Sequence, residues 1–145
     1  FRYILNSEKI VVTDKIVYNY FINNSGLTAK FTSKHFDVLK GWDLVCQYAT
    51  ESNNAKYKEW AQINRYRADL ALLTEIALSV DYKNIRMLNE TQIKSMQFRL
   101  KKNKRVLLKQ AIPLSRKILI ILFTTSYNIF AKAINIMIRI KNYGA

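Results

Sequence analysis

The chain has 145 residues, and its 24 Lys and Arg residues against 10 Asp and Glu residues give a formal net charge of +14. Half of the residues are hydrophobic, so the chain can bury a core, which excludes wholesale disorder. The only cysteine, Cys46, excludes a disulfide framework, and together with the only histidine, His35, it is too little for a Cys- or His-rich metal site. The sequence has neither of the common glycine-rich nucleotide-binding motifs.

Residues 1–30 contain the segments with a β-forming pattern. Residues 1–7 have the pattern of a helix end, with apolar side chains on one face. Two short runs rich in β-branched and aromatic residues follow at 10–13 and 16–22, and each predicts a strand. The tetrapeptide Asn-Asn-Ser-Gly at 23–26 has the composition of a loop.

From Thr32 onward the apolar residues recur at steps of three and four, which predicts helices. We expect a first helix capped by Thr32 or Ser33, and a third capped by Asn89 with Gln92, before Pro113 ends it. The expected ranges are about 32–50, 55–81 and 90–111. The apolar stripe of the second is expected to contain Tyr57, Trp60, Ala61, Leu70, Leu73, Ile76, Ala77 and Val80, with Lys58, Arg65, Asp69 and Glu75 mostly off this stripe.

The last predicted helix, about 114–141, is apolar around most of its circumference. One narrow polar stripe interrupts it, formed by Thr125, Asn128, Lys132, Asn135 and Arg139. Such a helix is either buried on most sides or lies in a membrane interface with its polar stripe toward water. A spanning helix fits less well, because the uninterrupted apolar run at 118–123 is far shorter than the ~20 residues needed.

The positive charge is concentrated in the C-terminal third. Residues 91–145 hold 12 basic residues and no acidic residue, whereas residues 1–90 hold 12 basic and 10 acidic residues. This segment is expected to bind a polyanion. Its charges alternate with long aliphatic runs, which favours an anionic membrane over nucleic acid. The residues predicted to contact the membrane are Arg99, Lys101, Lys102, Lys104, Arg105, Arg116, Lys117, Lys132 and Arg139.

Common catalytic arrangements find no support in the residues. His35 would be the only base for a Ser-His-Asp triad, and its place in a first helical turn is typical of a surface histidine. The carboxylates of Asp37 and Asp43 are six residues apart and do not share a helix face well. Cys46 lies on an apolar stripe and is interpreted as a small core residue.

The segment 10–28 carries a pattern that resembles a known family. It contains a short strand with Ile16-Val17, then Tyr18-Asn19-Tyr20, then a polar loop with Ser25 and Thr28 three residues apart. This resembles the end of the catalytic domain in bacterial family 2 glycosyltransferases, which have the GT-A fold. The helical tail of that family often opens with a Phe and an Asp six residues later, as do Phe31 and Asp37. Residues 1–7 would then be the back half of the family's Glu-Asp helix.

The resemblance implies an enzyme that transfers a sugar from a nucleotide sugar to a surface-polysaccharide or lipid-linked acceptor. Such an enzyme needs a divalent metal, Mg or Mn, on an Asp-x-Asp motif and a Glu-Asp base. Neither motif occurs here, and the chain starts at Phe1 without Met, so we expect a C-terminal part of a longer protein that binds no cofactor and is inactive alone. The expected location is the cytoplasmic side of the bacterial membrane, as a peripheral protein.

The resemblance also suggests residues at the mouth of the active site: Tyr18, Tyr20, Asn23, Asn24, Ser25 and Thr28. Many relatives carry an Arg directly after the second Tyr, where this chain has Phe21, so a phosphate contact there is not expected. The alternative is that both tyrosines pack against the sheet edge and the loop is an ordinary turn.

The predicted fold class is mainly α, with two short N-terminal β segments before a three- to four-helix bundle. The expected divisions are the end of a catalytic domain at 1–30, a helical domain at 31–112 and a basic amphipathic helix at 113–145. An alternative function is a non-enzymatic basic helical bundle that binds RNA or sits in a ribonucleoprotein assembly. A helical interaction module without ligand chemistry is a third.

Overall fold

The structure is a computed structural model that describes the backbone of residues 31–143 and the side chains of residues 31–136. The chain divides into two compact units, Phe1–Lys30 and Phe31–Ala145, and the description below concerns the second. The predicted helix end at 1–7, both predicted strands and the loop at 23–26 lie outside the described residues. The predicted helical character is confirmed, because residues 31–143 form helices and contain no strand.

Six α-helices follow a short 3-10 turn at Ser33–Phe36. In chain order they are α1 (Asp37–Glu51), α2 (Ala55–Leu78), α3 (Tyr82–Leu88), α4 (Glu90–Lys102), α5 (Lys104–Lys109) and α6 (Leu114–Tyr143). The predicted helices at 32–50, 55–81 and 114–141 match the 3-10 turn with α1, α2 and α6 to within three residues.

The helix α2 is the centre of the unit and contacts each of the other five helices. Its start is fixed by Asn54, whose side-chain oxygen accepts hydrogen bonds from the backbone N–H groups of Lys56 (3.0 Å) and Tyr57 (3.3 Å). These bonds satisfy two of the N–H groups that a helix leaves unpaired at its first turn. The long helix that results forms the surface against which the others pack.

The direction of the neighbouring helices follows from side-chain contacts with α2. His35 contacts Glu75 and Asp43 contacts Arg65, so α1 runs antiparallel to α2. On the other side Tyr127 contacts Leu73 and Asn135 contacts Ser79, so α6 runs in the same direction as α2. The largest fully buried apolar side chains lie between these helices: Leu73, Ile76, Met96, Leu100, Leu107 and Ile120.

The predicted single helix at 90–111 is wrong in two respects. A break at Asn103 divides it into α4 and α5, and the Asn103 side chain donates a hydrogen bond back to the carbonyl of Arg99 (2.9 Å). The predicted capping box is absent, because the Asn89 amide donates to the carbonyl of Ile85 (2.8 Å) instead of capping α4. In both cases the asparagine side chain donates to a carbonyl of the preceding helix. Such local hydrogen bonds compete with capping of the next helix.

The helix α6 is bent at Ser126, whose backbone angles (φ −156°, ψ 89°) lie outside the helical region. Just before the bend, the hydroxyls of Thr124 and Thr125 both donate to the carbonyl of Ile121, at 3.0 and 2.9 Å. Hydroxyls that compete for a backbone carbonyl in this way are a recognised cause of helix bending. The bend lets the two halves of α6 follow the surface of α2.

Candidate functional site

The residues predicted from sequence to line an active site belong to a part of the chain that the structure does not describe. Tyr18, Tyr20, Asn23, Asn24, Ser25 and Thr28 lie outside the described residues, as does the side chain of Arg139. Among the residues that the structure describes, no group of three or more His, Cys, Asp and Glu side chains could hold a metal ion.

The predicted membrane-binding cations do not form one uniform surface. Lys101, Lys102, Arg105, Arg116 and Lys132 are exposed, and Lys104 and Lys117 are half-buried. Arg99 differs from them, because its guanidinium binds the carboxylate of Asp69, with Nη2 2.8 Å from Oδ1 and Nε 3.0 Å from Oδ2. An arginine committed to an internal carboxylate has fewer donors left for a phosphate, and the membrane contact of Arg99 stays a prediction.

Asp69 is the centre of a buried charge network that joins α1, α2 and α4. Its carboxylate is fully buried, and Arg65 donates to it from the preceding turn of α2 at 3.0 Å. Arg65 in turn contacts Asp43 of α1 at 2.5 Å, and Arg99 also contacts Ser95 of α4 at 2.6 Å. The prediction that Arg65 and Asp69 lie off the buried stripe of α2, with Asp69 on a solvated face, is therefore wrong.

This network is structural in character. Burial lowers the pKa of the Arg65 guanidinium, but the hydrogen bond to Asp43 and the charge of Asp69 outweigh burial and hold it above its usual value. The carboxylate of Asp69 accepts hydrogen bonds from two guanidinium groups that neutralise it, so it is poorly suited to act as a general base. The network aligns three helices.

The predicted polar stripe of α6 is corrected by the structure. Thr125, Asn128 and Lys132 are exposed as expected, but Asn135 is buried and donates to the carbonyl of Ser79 at 2.6 Å. The buried side of α6 carries Ile120, Phe123, Tyr127 and Ala131. The helix reaches the core through these residues and through the amide of Asn135.

The opposite side of α6 exposes apolar residues that a water-soluble helix would normally bury. We call Ile118, Ile121, Ile129 and Ile136 the outer face of α6. Ile129 is 67% exposed, and only 28% of the most apolar 18-residue stretch within Leu114–Ile136 is buried. By length and composition alone, Leu114–Ile136 is the one helix among the described residues that could cross a membrane.

The basic surface of α4 contains an exposed aromatic side chain that the sequence interpretation did not single out. Phe98 is 68% exposed. Lys101 and Lys102 follow it at steps of three and four, so all three residues share one face of the helix. An exposed Phe beside two lysines is a feature of surfaces that stack nucleic-acid bases and also of membrane-interface helices.

Neither His35 nor Cys46 is placed as a catalytic group. Nδ1 of His35 accepts a hydrogen bond from the backbone N–H of Thr32 at 3.0 Å, and Nε2 lies 3.3 Å from the Glu75 carboxylate. His35 thus joins the first turn to α2, rather than standing free on the surface. Burial and the nearby Asp43 raise the pKa of the Cys46 thiol, despite the opposing charge of Arg65, which disfavours the nucleophilic thiolate.

A depression of about 290 Å³ lies beside α3 and is lined by Tyr82, Lys83, Arg86, Met87 and Glu90. The hydroxyl of Tyr82 is buried and has no hydrogen-bond partner among the described residues. The neighbouring Tyr127 hydroxyl does have one, because it donates to the carbonyl of Leu73 at 2.9 Å, and burial raises the pKa of that phenol above its usual range. The depression is therefore a shallow basic surface feature backed by the core.

No protein-family model, no curated protein and no solved structure gives a match to the chain. The resemblance of residues 10–28 to family 2 glycosyltransferases accordingly stays a prediction. What the structure adds is the position of the cations and of the exposed apolar side chains in residues 31–136.

Proposed function

We propose that this chain is a helical membrane-surface module that holds a sugar transferase at the anionic cytoplasmic face of a bacterial membrane. The observation that carries the membrane part is the outer face of α6. It exposes four isoleucines, with Arg116 and Lys117 at one end and Lys132 in its second half. Apolar residues that enter the interface together with cations that attract anionic lipid are the two requirements of an interfacial helix.

The transferase part of the proposal rests on the resemblance of residues 10–28. On this reading the donor is a nucleotide sugar, and the acceptor is a glycan or lipid-linked sugar at the same membrane face. The metal ion, Mg or Mn, and the catalytic carboxylates belong to residues outside these 145. The role of the helical unit is to keep the active site close to an acceptor whose lipid part stays in the bilayer.

Co-sedimentation with lipid vesicles tests the membrane part. The chain is mixed with vesicles of phosphatidylcholine alone and of phosphatidylcholine with phosphatidylglycerol. We expect binding to the anionic vesicles and much weaker binding to the neutral ones. Equal binding to both, or binding to neither, would contradict the proposal.

A pair of double variants separates the outer face of α6 from exposed apolar residues elsewhere. Ile129→Asn with Ile136→Asn removes two isoleucines of the outer face without changing the net charge. We expect roughly tenfold weaker binding to anionic vesicles, since each isoleucine loses apolar area that the bilayer would bury. The matched control, Val38→Asn with Leu44→Asn on exposed positions of α1, is expected to bind as the original chain does.

RNA binding is a second candidate function, and Phe98 beside Lys101 and Lys102 is the observation that favours it. If bases stack on this side chain, Phe98→Ala should weaken binding to single-stranded polyuridine roughly tenfold, the effect of losing one stacked base. Membrane binding through α6 should be unchanged in the same variant. The two readouts therefore assign the basic region to one partner or the other.

A further inference from the structure

The turn between α2 and α4 exposes a second group of apolar side chains. Between residues 78 and 88, Leu78, Val80, Met87 and Leu88 are all exposed, Met87 to 72% and Leu88 to 75%. We call these four residues the turn patch. None of them belongs to the outer face of α6, and the sequence interpretation assigned them no function.

The exposure of the turn patch follows from the register of α3. This helix has only seven residues, and Tyr82 and Ile85 occupy its two buried positions. Met87 and Leu88 then fall on the solvent side at the end of the helix. Burying them would require turning Tyr82 and Ile85 out of the core, so the fold itself keeps Met87 and Leu88 exposed.

Two cations lie on the same short helix as the patch. Lys83 is exposed and Arg86 is half-buried, and both line the depression beside α3. The acidic groups nearby already have partners, because Asp81 accepts a hydrogen bond from Asn84 at 2.7 Å and Glu90 pairs with Lys94 at 2.7 Å. Because Asn84 is neutral, Asp81 keeps its charge, and Lys83, Arg86 and Lys94 exceed Asp81 and Glu90 by one positive charge. The surface around the patch therefore favours an anionic partner over a cationic one.

The patch is fixed next to the second half of α6. Asn135 donates to the carbonyl of Ser79, which lies between Leu78 and Val80, and this contact holds α6 beside the turn. Lys132 and Ile136 are exposed on α6 within one turn of Asn135. Exposed apolar and basic side chains thus occur on both elements at the end of the unit where the turn lies.

We infer that the turn patch is a second membrane contact, which enters an anionic bilayer together with the outer face of α6. Met87 and Leu88 insert into the boundary between headgroups and acyl chains, and Lys83 and Arg86 bind lipid phosphates. This inference rests on the proposed membrane function and adds an orientation to it. With contacts on two elements, the module has one defined side toward the bilayer.

Fluorescent labelling at single cysteines tests the inference. In a Cys46→Ala background, the variants Met87→Cys, Ile129→Cys and Leu44→Cys are labelled with an environment-sensitive fluorophore. Urea unfolding first confirms that each labelled chain is folded. With phosphatidylcholine–phosphatidylglycerol vesicles, we expect a blue shift and quenching by nitroxide-labelled lipid at positions 87 and 129, and neither effect at the exposed position 44 of α1.

The outcomes separate the inference from the proposed function. A response at position 129 without one at position 87 would overturn the turn contact and leave membrane binding by α6 intact. A chain that binds no vesicles would overturn both. A blue shift at position 87 that depends on protein concentration without lipid would show that the patch binds a second copy of the chain, and would overturn the membrane assignment.

A charge reversal provides an independent test. Lys83→Glu changes the net charge beside the patch, and Lys56→Glu makes the same change at the exposed start of α2. Because charges beyond about 8 Å are screened at physiological salt, only the change next to the bilayer should matter. We expect about tenfold weaker partitioning for Lys83→Glu and little change for Lys56→Glu. Equal losses would mean that net charge alone drives binding, and would overturn the inference.

Discussion

At the scale of single residues, Asp69 is the side chain on which the alignment of the helices depends most. It is a fully buried carboxylate whose two guanidinium partners come from different helices. Removing it would leave Arg65, itself buried, paired only with the exposed Asp43, and would leave the guanidinium of Arg99 without its carboxylate. Uncompensated buried charge is among the most destabilising changes that a single substitution makes.

We therefore expect Asp69→Ala to lower the free energy of unfolding by about 3–5 kcal/mol. Urea denaturation followed by far-UV circular dichroism measures this. The control is Asp37→Ala, which removes an exposed carboxylate that pairs with Lys40 three residues later. Exposed ion pairs of this kind contribute little to the free energy of unfolding, so the control should unfold at nearly the same urea concentration as the original chain. A loss at Asp69 no larger than in the control would show that the network does not hold the helices together.

The buried network could not be predicted from the sequence. Arg65 and Asp69 are four residues apart, the spacing of an ordinary ion pair on a helix surface. Their burial depends on Arg99, which follows Asp69 by thirty residues and which the sequence grouped with a block of surface cations. Local spacing contains no information about such a partner, and the same holds for the buried Asn135 and its contact with Ser79.

At the scale of secondary-structure elements, the start of α2 depends on one asparagine. Asn54→Ala removes a side chain that accepts hydrogen bonds from two backbone N–H groups of the central helix. We expect a loss of about 1 kcal/mol in the free energy of unfolding. Asn89→Ala is the matched comparison, because Asn89 precedes α4 without capping it. This substitution should lower the free energy of unfolding by less. Equal losses in the two variants would contradict the assignment of Asn54 as a cap.

The sequence predicted the long helices more accurately than the short ones. Long periodic patterns predicted α1, α2 and α6 well, since several apolar turns reinforce one another. The short helix α3 was missed, and Val80, Tyr57 and Trp60 are exposed where the stripe of α2 was expected to be buried. Val80 was assigned to the stripe wrongly because α2 ends at Leu78. Beyond this residue the backbone is not helical, so steps of three and four no longer place residues on one face.

At the scale of the whole molecule, the basic third of the chain can bind a partner through two kinds of interaction, electrostatic and apolar. Its cations attract any polyanion, and the outer face of α6 adds an attraction that does not depend on charge. The sequence showed the charge asymmetry and the apolar character of α6. It did not show which apolar residues stay exposed, because that depends on which side of α6 faces α2.

These two kinds of interaction respond differently to salt, which makes the salt dependence of binding a test of the whole surface. Raising the salt concentration from about 0.05 to 0.5 M shortens the Debye length from about 14 to about 4 Å and removes most of the electrostatic attraction. Binding to anionic vesicles should then fall but level off, since the apolar contact remains. The Ile129→Asn, Ile136→Asn variant should lower this residual binding roughly tenfold, because two of its apolar contacts are removed.

The affinity for RNA would depend on the salt concentration in a different way. Each phosphate contact releases counterions, so the logarithm of the affinity for a single strand falls linearly with the logarithm of the salt concentration, with a slope near −0.7 per contact. A continuous linear fall for polyuridine, with no plateau for vesicles, would assign the cations of α4 and α5 to nucleic acid. A plateau that the outer-face variant lowers would instead assign that part of the residual affinity to isoleucines in a bilayer, because no other part of that variant has changed.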